Sequence, residues 1–182
     1  MFALIFGLSF LANAQDVQKD QPKGYQFTDI KRLPANSVKD QARAGTCWAW
    51  SGISFFESEM IRMGKEPIDL SAMYIVRHAY SDKATKFVRL HGNMNFAVGG
   101  AFCDVMHVIK NYGIVPMDVY KGLNYGEPNH AFGEIDDVLA GYINAVIKNS
   151  NKKLSTAWKK GFDGILDAYL GEEPEKFEYN GK

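Results

Sequence analysis

The sequence has no excess of charge of either sign. Lysine and arginine together number 21 of the 182 residues, aspartate and glutamate also number 21, and the formal net charge is zero. No run of basic residues interrupts this balance. Because binding to nucleic acid or to an anionic membrane surface depends on a basic field or patch, the sequence gives no support for either partner.

Cysteine is scarce as well, since the chain contains only Cys47 and Cys103. A secreted domain held together by disulfides uses more cysteines than two, so a disulfide scaffold is excluded. Two interpretations stay open: the two thiols pair with each other, or at least one thiol is kept free for chemistry. No spacing of His, Cys and Asp matches a zinc site, and we expect neither a metal nor a cofactor.

An apolar run occupies residues 1–14 and ends in Ala12, Asn13 and Ala14. This is the small-x-small pattern that signal peptidase recognises, so the sequence predicts a signal peptide that is cleaved after Ala14. The protein is then exported, either to a periplasm or to the medium. The run is too short to remain as a stable membrane anchor.

Beyond this run the apolar residues follow a helical period, and strand signals are scarce. The length fits one domain or a large piece of one. Residues 15–37 are polar, contain two prolines and predict an extended lead-in or a short strand. Five helices are predicted after it. The first runs from Cys47 to a stop at Gly64, the second starts at Ser71, and the third runs from Ala101 to Tyr112 and is closed by Gly113. The fourth runs from Glu134 to Asn149, and the fifth from an N-cap at Ser155 to Leu170.

Cys47 lies in the first turn of the first predicted helix. A thiol attacks as the thiolate, and the free N–H groups and dipole of a helix N-terminus stabilise negative charge. A catalytic cysteine also needs a base, usually histidine, and donors for the oxyanion. Gln41, six residues upstream, can supply one donor and the backbone N–H of Cys47 a second. Taken alone, a cysteine near a helix start is more commonly a small buried apolar residue.

The segment around Cys47 resembles the active-site segment of papain-like cysteine peptidases. In "SVKDQARAGTCWAWS" a Val-Lys-x-Gln run precedes a glycine two residues before the cysteine, and Cys-Trp-Ala follows. By this resemblance Cys47 is the nucleophile, Gln41 the oxyanion-hole amide, and Trp48 a packing residue of the substrate cleft. The sequence departs from the family pattern at Ala44, where a disulfide-bearing cysteine is usual, and at Thr46, which replaces serine or alanine.

Two downstream segments extend the resemblance. The run "LSAMY" is similar to the Leu-Ser-x-Gln-x segment that follows the active-site helix in the family, with Met73 in place of the usual glutamine. The run "VGGAFCDVMHVIKNYGIVPMDVYKG" is similar to the family's progression of Gly-Gly, helix, Tyr-Gly, Pro and Tyr. By resemblance Gly99 and Gly100 bind the substrate backbone, and a pair without side chains permits that close approach.

Among papain-like enzymes the sequence resembles most the bleomycin hydrolase and aminopeptidase C branch, peptidase family C1B. Ala44, the run "YGIVP" and the helical stretch over 134–170 carry this likeness. That branch inserts helices between the two papain lobes and is commonly hexameric. The resemblance implies a thiol aminopeptidase that releases N-terminal residues from peptide substrates through a thioester on Cys47, with a homo-oligomer as its assembly.

The fold implied is the α+β papain-like fold, of which this portion is mainly α-helical. Residues 38–132 are expected to form the helical lobe that carries the catalytic cysteine, and residues 133–182 the helical insert. The β-rich second lobe is expected to be lacking. The alternative is a protein of another class, a secreted helical binding or structural module that is derived from a peptidase and is not catalytic.

The histidines do not fit the family's order. Papain-like enzymes place their catalytic His and Asn about 130 to 150 residues after the cysteine, and a helical insert moves them further. The chain has His78, His91, His107 and His130, all closer to Cys47 than that. We expect His78 and His107 to fill or edge the helical core and Cys103 to be a core residue. The sequence therefore predicts a partial chain that is inactive alone, with its base outside these residues.

Overall fold

The structure is a computed structural model and describes residues 24–25 and 27–179. The predicted signal peptide over residues 1–14 lies outside this range. The described residues form five helices: α1 (Cys47–Arg62), α2 (Ala72–Arg89), α3 (Phe102–Tyr112), α4 (Gly133–Ile147) and α5 (Trp158–Leu170). Within the described part of the chain there is no β-strand, and the prediction of a mainly helical portion is confirmed.

The chain divides into two units, residues 1–32 and residues 33–182. In the first unit, the described residues from 24 to 32 have neither helix nor strand and their side chains are exposed. There Arg32 pairs with Asp29 at 3.0 Å. The second unit holds the five helices, and none of these is long and apolar enough to cross a membrane.

Helix α2 is the central element of the second unit. It packs with α1 and α3 as one group and with α4 and α5 as another. The helix begins at Ala72, one residue after the predicted start at Ser71. Ser71 caps its N-terminus, because its Oγ accepts the N–H of Tyr74 at 3.0 Å. A surface helix buries a single stripe, whereas α2 buries side chains on nearly every face because helices surround it. The buried apolar residues are Ala72, Met73, Tyr74, Ile75, Val76, Ala79, Tyr80, Ala84, Phe87 and Val88.

Glycines end two of the helices where the sequence predicts. Gly64 follows the end of α1 with φ of 76°, and Gly113 ends α3 with φ of 86°. The predicted start of α5 is wrong, because the helix begins at Trp158 and Ser155 lies outside it. The carbonyl of Trp158 accepts the hydroxyl of Tyr142 on α4 at 2.9 Å, so α5 begins where it can pack against α4.

Two valines form the buried face of α3. Val105 and Val108 are fully buried, whereas the side chains of Phe102 and Met106 are 46% and 48% exposed. Cys103 is exposed as well, and the prediction that it is a core residue is wrong. Since each residue advances a helix by about 100°, position 103 points away from the core once Val105 points into it.

Candidate active site

A tight turn leads the chain into α1. The N–H of Ala42 donates to Asp40 Oδ1 at 2.7 Å, and the N–H of Ala44 donates to the carbonyl of Gln41 at 3.2 Å. Ala42 and Gly45 both have left-handed backbone angles, with φ of 50° and 67°. Glycine adopts this region without cost, whereas alanine is strained in it. The chain therefore reverses between Gln41 and the start of α1, and the strained backbone at Ala42 has to be held by the contacts around it.

The outer side of this loop is tied to the segment before α4. The N–H of Arg43 donates to the carbonyl of His130 at 2.9 Å, and the N–H of Phe132 donates to the carbonyl of Arg43 at 3.2 Å. These bonds form an isolated parallel bridge between Arg43 and Ala131. The loop that precedes the cysteine is thus held from two directions, by its own turn and by residues 130–132.

Cys47 is the first residue of α1, and its thiol is exposed. The N-cap residue Thr46 does not cap the helix with its side chain, because its Oγ1 accepts the indole N–H of Trp50 at 3.1 Å. The first N–H groups of a helix have no intrahelical acceptor, so the N–H of Cys47 remains free to meet an anion. Cys47 and Cys103 are both unpaired, which is the free-thiol alternative of the two left open by the sequence.

Trp48 joins the cysteine to the glycine pair. Its indole is buried, and its Nε1 donates to the carbonyl of Val98 at 3.0 Å. A Cβ placed on Gly100 would lie 2.6 Å from Cε2 of Trp48, closer than carbon atoms approach, whereas a Cβ on Gly99 would meet nothing within 4 Å. The absence of a side chain at position 100 is therefore required by the packing against Trp48. This contact brings Gly99 and Gly100 next to the first turn of α1.

The family model of the papain family of cysteine proteases matches the chain over residues 22–159. The match covers well over half of the chain and includes the loop, Cys47 and the glycine pair. The chain belongs to the papain family of cysteine proteases. Its function at the coarse level is that of a cysteine peptidase, and the five helices of its described residues are consistent with a helical portion of a papain-like fold. No curated protein matches it.

Gln41, the residue at the papain-family oxyanion-hole position, begins the turn described above. Its side chain is half-buried, and its Oε1 is enclosed without a hydrogen-bond partner among the described residues. A buried acceptor without a partner costs free energy. Gln41 is thus placed on the same loop as Cys47, and its role as a donor to an oxyanion stays a prediction.

Lys83 on α2 is a site neighbour that reasoning from the sequence missed. Its Nζ lies 5.5 Å from the centroid of the Trp48 ring and donates to the carbonyls of Ala97, at 3.3 Å, and Gly99. Burial lowers the pKa of its ammonium, although the carboxylates of Asp104 and Asp136 act in the opposite direction. The signal in the sequence was its place three residues after Tyr80 and four before Phe87, two buried aromatic residues of the same helix.

None of the four histidines is hydrogen-bonded to Cys47 in the described part of the chain. His78 is buried as predicted, with Nε2 3.1 Å from Glu173 Oε1 and its ring stacked on Tyr112. His107 does not enter the core, because its side chain is 49% exposed beside Asp82. His130 lies half-buried with its ring 6.0 Å from that of Trp50.

Two concave cavities border the 130–132 segment. The larger, about 480 Å³, is lined by Arg43, Tyr125, Glu134 and Tyr169 among others. The smaller, about 190 Å³, is mainly apolar and includes His130. Cys47 lines neither of them, so its thiol opens onto an uncovered surface. Among the described residues no group of three or more His, Cys, Asp or Glu side chains could hold a metal ion.

Proposed function

We propose that this papain-family chain carries the nucleophile of an exported cysteine aminopeptidase of the bleomycin hydrolase and aminopeptidase C type. The observation that carries the proposal is the exposed thiol of Cys47 at an uncapped helix N-terminus, next to a glycine pair that has no side chains. This arrangement gives a sulfur nucleophile, an anion-stabilising helix end and a backbone surface for a peptide. The aminopeptidase and export assignments come from the sequence resemblance.

In the proposed reaction the thiolate of Cys47 attacks the carbonyl carbon that joins the first residue of a peptide to the second. The carbonyl oxygen becomes an oxyanion, which accepts hydrogen bonds from the backbone N–H of Cys47 and the side-chain amide of Gln41. The C–N bond then breaks, the amine of the shortened peptide leaves with a proton, and a thioester remains. Water hydrolyses the thioester, releases the N-terminal residue and restores the thiol.

We infer that the base that takes the thiol proton and later gives it to the leaving amine is none of the four histidines of the chain. His78 is held by Glu173 and Tyr112, and His107 by Asp82. His130 lies against Trp50, and His91 is exposed just after the end of α2. We infer that the imidazole and its orienting asparagine come from outside these 182 residues. The chain by itself is then inactive, because a triad without its base loses catalysis by orders of magnitude.

The two cysteines provide a matched pair for the test of this function. Both thiols are exposed, and both lie in the first turn of a helix, Cys47 in α1 and Cys103 in α3. In the full-length gene product, Cys47→Ser is expected to abolish hydrolysis of aminoacyl amides, whereas Cys103→Ser is expected to leave kcat/KM unchanged. Hydrolysis that survives Cys47→Ser would contradict the proposal.

The aminopeptidase assignment has its own test with paired substrates. An aminoacyl amide with a free α-amino group is expected to be hydrolysed, and the same compound with an acetylated amino group is not. Equal hydrolysis of both would leave a cysteine peptidase but remove the aminopeptidase assignment. For export, the mature protein is expected to begin at Gln15, and a mature chain that still begins at Met1 would contradict it.

A further inference from the structure

We propose that Lys83 is a positioning residue for peptide binding, because it holds the glycine segment in the shape that receives a substrate backbone. The inference rests on the proposed function of Cys47 and Gly99–Gly100. The residues from 93 to 101 form neither a helix nor a strand, so no backbone ladder fixes them. Their carbonyls need other donors, and two side chains from the helices supply them.

Three successive backbone carbonyls of this segment accept hydrogen bonds from side chains of α1 and α2. Lys83 Nζ donates to the carbonyl of Ala97 at 3.3 Å and to that of Gly99, and Trp48 Nε1 donates to the carbonyl between them, that of Val98, at 3.0 Å. With these bonds made, the segment is fixed up to Gly99. The exposed backbone of Gly100 follows directly and is left for a peptide.

The ammonium group suits this task for electrostatic reasons. An ammonium has three donors, of which two serve the carbonyls. It also lies 5.5 Å from the Trp48 ring centroid and 6.0 Å from that of Tyr80, within range of cation–π attraction. Asp104 and Asp136 stabilise its positive charge, and Lys86 opposes it. The same cation therefore touches the ring that packs on Gly100 and the carbonyl that precedes it.

Two electrophiles separate positioning of the peptide from reactivity of the thiol. Iodoacetamide alkylates Cys47 without using the glycine segment, whereas an epoxide attached to a dipeptide must bind along it. In the full-length gene product, Lys83→Met is expected to raise the half-saturating concentration of the peptidyl epoxide about tenfold, the loss expected for about 1.4 kcal/mol of binding. The limiting rate of alkylation by the epoxide and the rate of alkylation by iodoacetamide are expected to stay within about twofold of those of the unsubstituted protein.

Lys86→Met is the matched control, since Lys86 is an exposed lysine on the same helix. Lys86→Met is expected to change neither the half-saturating concentration of the peptidyl epoxide nor the rates of alkylation. Lys83→Arg keeps the charge and is expected to restore part of the epoxide binding. Unchanged epoxide binding in Lys83→Met would overturn the proposal, and so would an equal slowing of both electrophiles, which indicates a general structural role.

A pH series gives a second readout that does not depend on the methionine variant. Because lysine can lose its proton at alkaline pH and arginine cannot, epoxide binding is expected to weaken at high pH in the unsubstituted protein but not in Lys83→Arg. The same weakening in both proteins would contradict the proposal. If the unsubstituted protein shows no preference of the peptidyl epoxide for Cys47 over Cys103, the proposed function itself fails, and Lys83 has nothing to position.

Discussion

At the scale of single residues, Gly100 and Gly99 test the contact that joins the glycine pair to α1. A Cβ on Gly100 would lie 2.6 Å from Cε2 and 2.7 Å from Cδ2 of the buried Trp48 ring, and a fused ring offers no flexible end that can move aside. Gly100→Ala is therefore expected to destabilise the fold by about 1 to 3 kcal/mol. Gly99→Ala is the control, because its Cβ meets no atom within 4 Å. Urea unfolding of both variants measures the difference, and equal stabilities would contradict the packing.

The imidazoles of the buried His78 and the half-buried His130 predict how stability depends on pH. Burial lowers the pKa of His78, against the opposing field of Glu173, and burial alone lowers the pKa of His130. In the unfolded chain each imidazole binds its proton near pH 6.5, whereas the folded protein binds it only at lower pH. Between the folded-state pKa and the unfolded-state pKa, the unfolded chain therefore binds more protons than the folded protein. The stabilisation is fully present above about pH 6.5 and is lost as the pH falls through the folded-state pKa.

His130 provides the measurement, because burial lowers its pKa and no neighbouring charge contributes to that change. The free energy of unfolding is expected to fall as the pH is lowered from about 6.5, with a slope of at most about 1.4 kcal/mol per pH unit for each imidazole. His130→Gln is expected to reduce this slope. His91→Asn, at an exposed position with φ of 49° that asparagine tolerates, is expected to leave it unchanged. An unaltered slope in His130→Gln would contradict the assignment.

At the scale of elements, a buried carboxylate ties α1 to the start of α2. Glu57 on α1 is 2% exposed, and its carboxylate accepts both Lys39 Nζ at 2.6 Å and the N–H of Leu70 at 2.7 Å. Lys39 also pairs with Asp69 at 2.8 Å. The loop before the cysteine, α1 and the residues before α2 thus share one ion-pair network.

Removing the central carboxylate is expected to cost far more than removing an exposed one. Glu57→Ala leaves the charge of Lys39 and the N–H of Leu70 without their partner, and we expect a destabilisation of about 3 to 5 kcal/mol. Glu59→Ala, which removes an exposed pair with Arg62 on the same helix, is expected to have only a small effect. Thermal or urea unfolding compares them, and similar losses in the two variants would show that the network is not central.

The helices themselves could be predicted from the sequence wherever local signals act. The period of apolar residues and the end signals at Ser71 and Gly113 placed α2 and α3. Local signals failed where tertiary packing decides. α5 starts at Trp158 rather than after Ser155, because it packs against α4, and Cys103 faces outward because Val105 and Val108 take the inner face.

The motif of the candidate site could be predicted from the sequence, whereas the contacts that hold its segments in place could not. The order of Gln41, Cys47 and Trp48 along the chain carries the family likeness, and the glycine pair follows from the same likeness. Lys83 and the carbonyls it holds could not be predicted, because that contact joins the middle of α2 to an irregular segment fourteen to sixteen residues further on. A lysine that faces inward carries no local signature of what it will touch.

At the scale of the whole molecule, the chain presents a papain-family cysteine on an open surface. The loop at Arg43, the first turn of α1 and the glycine pair assemble around Cys47, yet the two cavities that border residues 130–132 lie elsewhere. In the proposed enzyme, residues outside these 182 supply the base and the opposite wall of the cleft. Cys47, rather than the likewise exposed Cys103, is then the reacting thiol.

The most direct measurement of that claim is the labelling of the full-length gene product with a peptidyl epoxide, followed by peptide mapping of both cysteines. Both thiols are exposed and lie in the first turn of a helix, so a difference in labelling reports activation and peptide binding. Labelling is expected almost wholly at Cys47, with Cys103 unmodified. Equal labelling of the two thiols, or labelling that spares Cys47, would contradict the account.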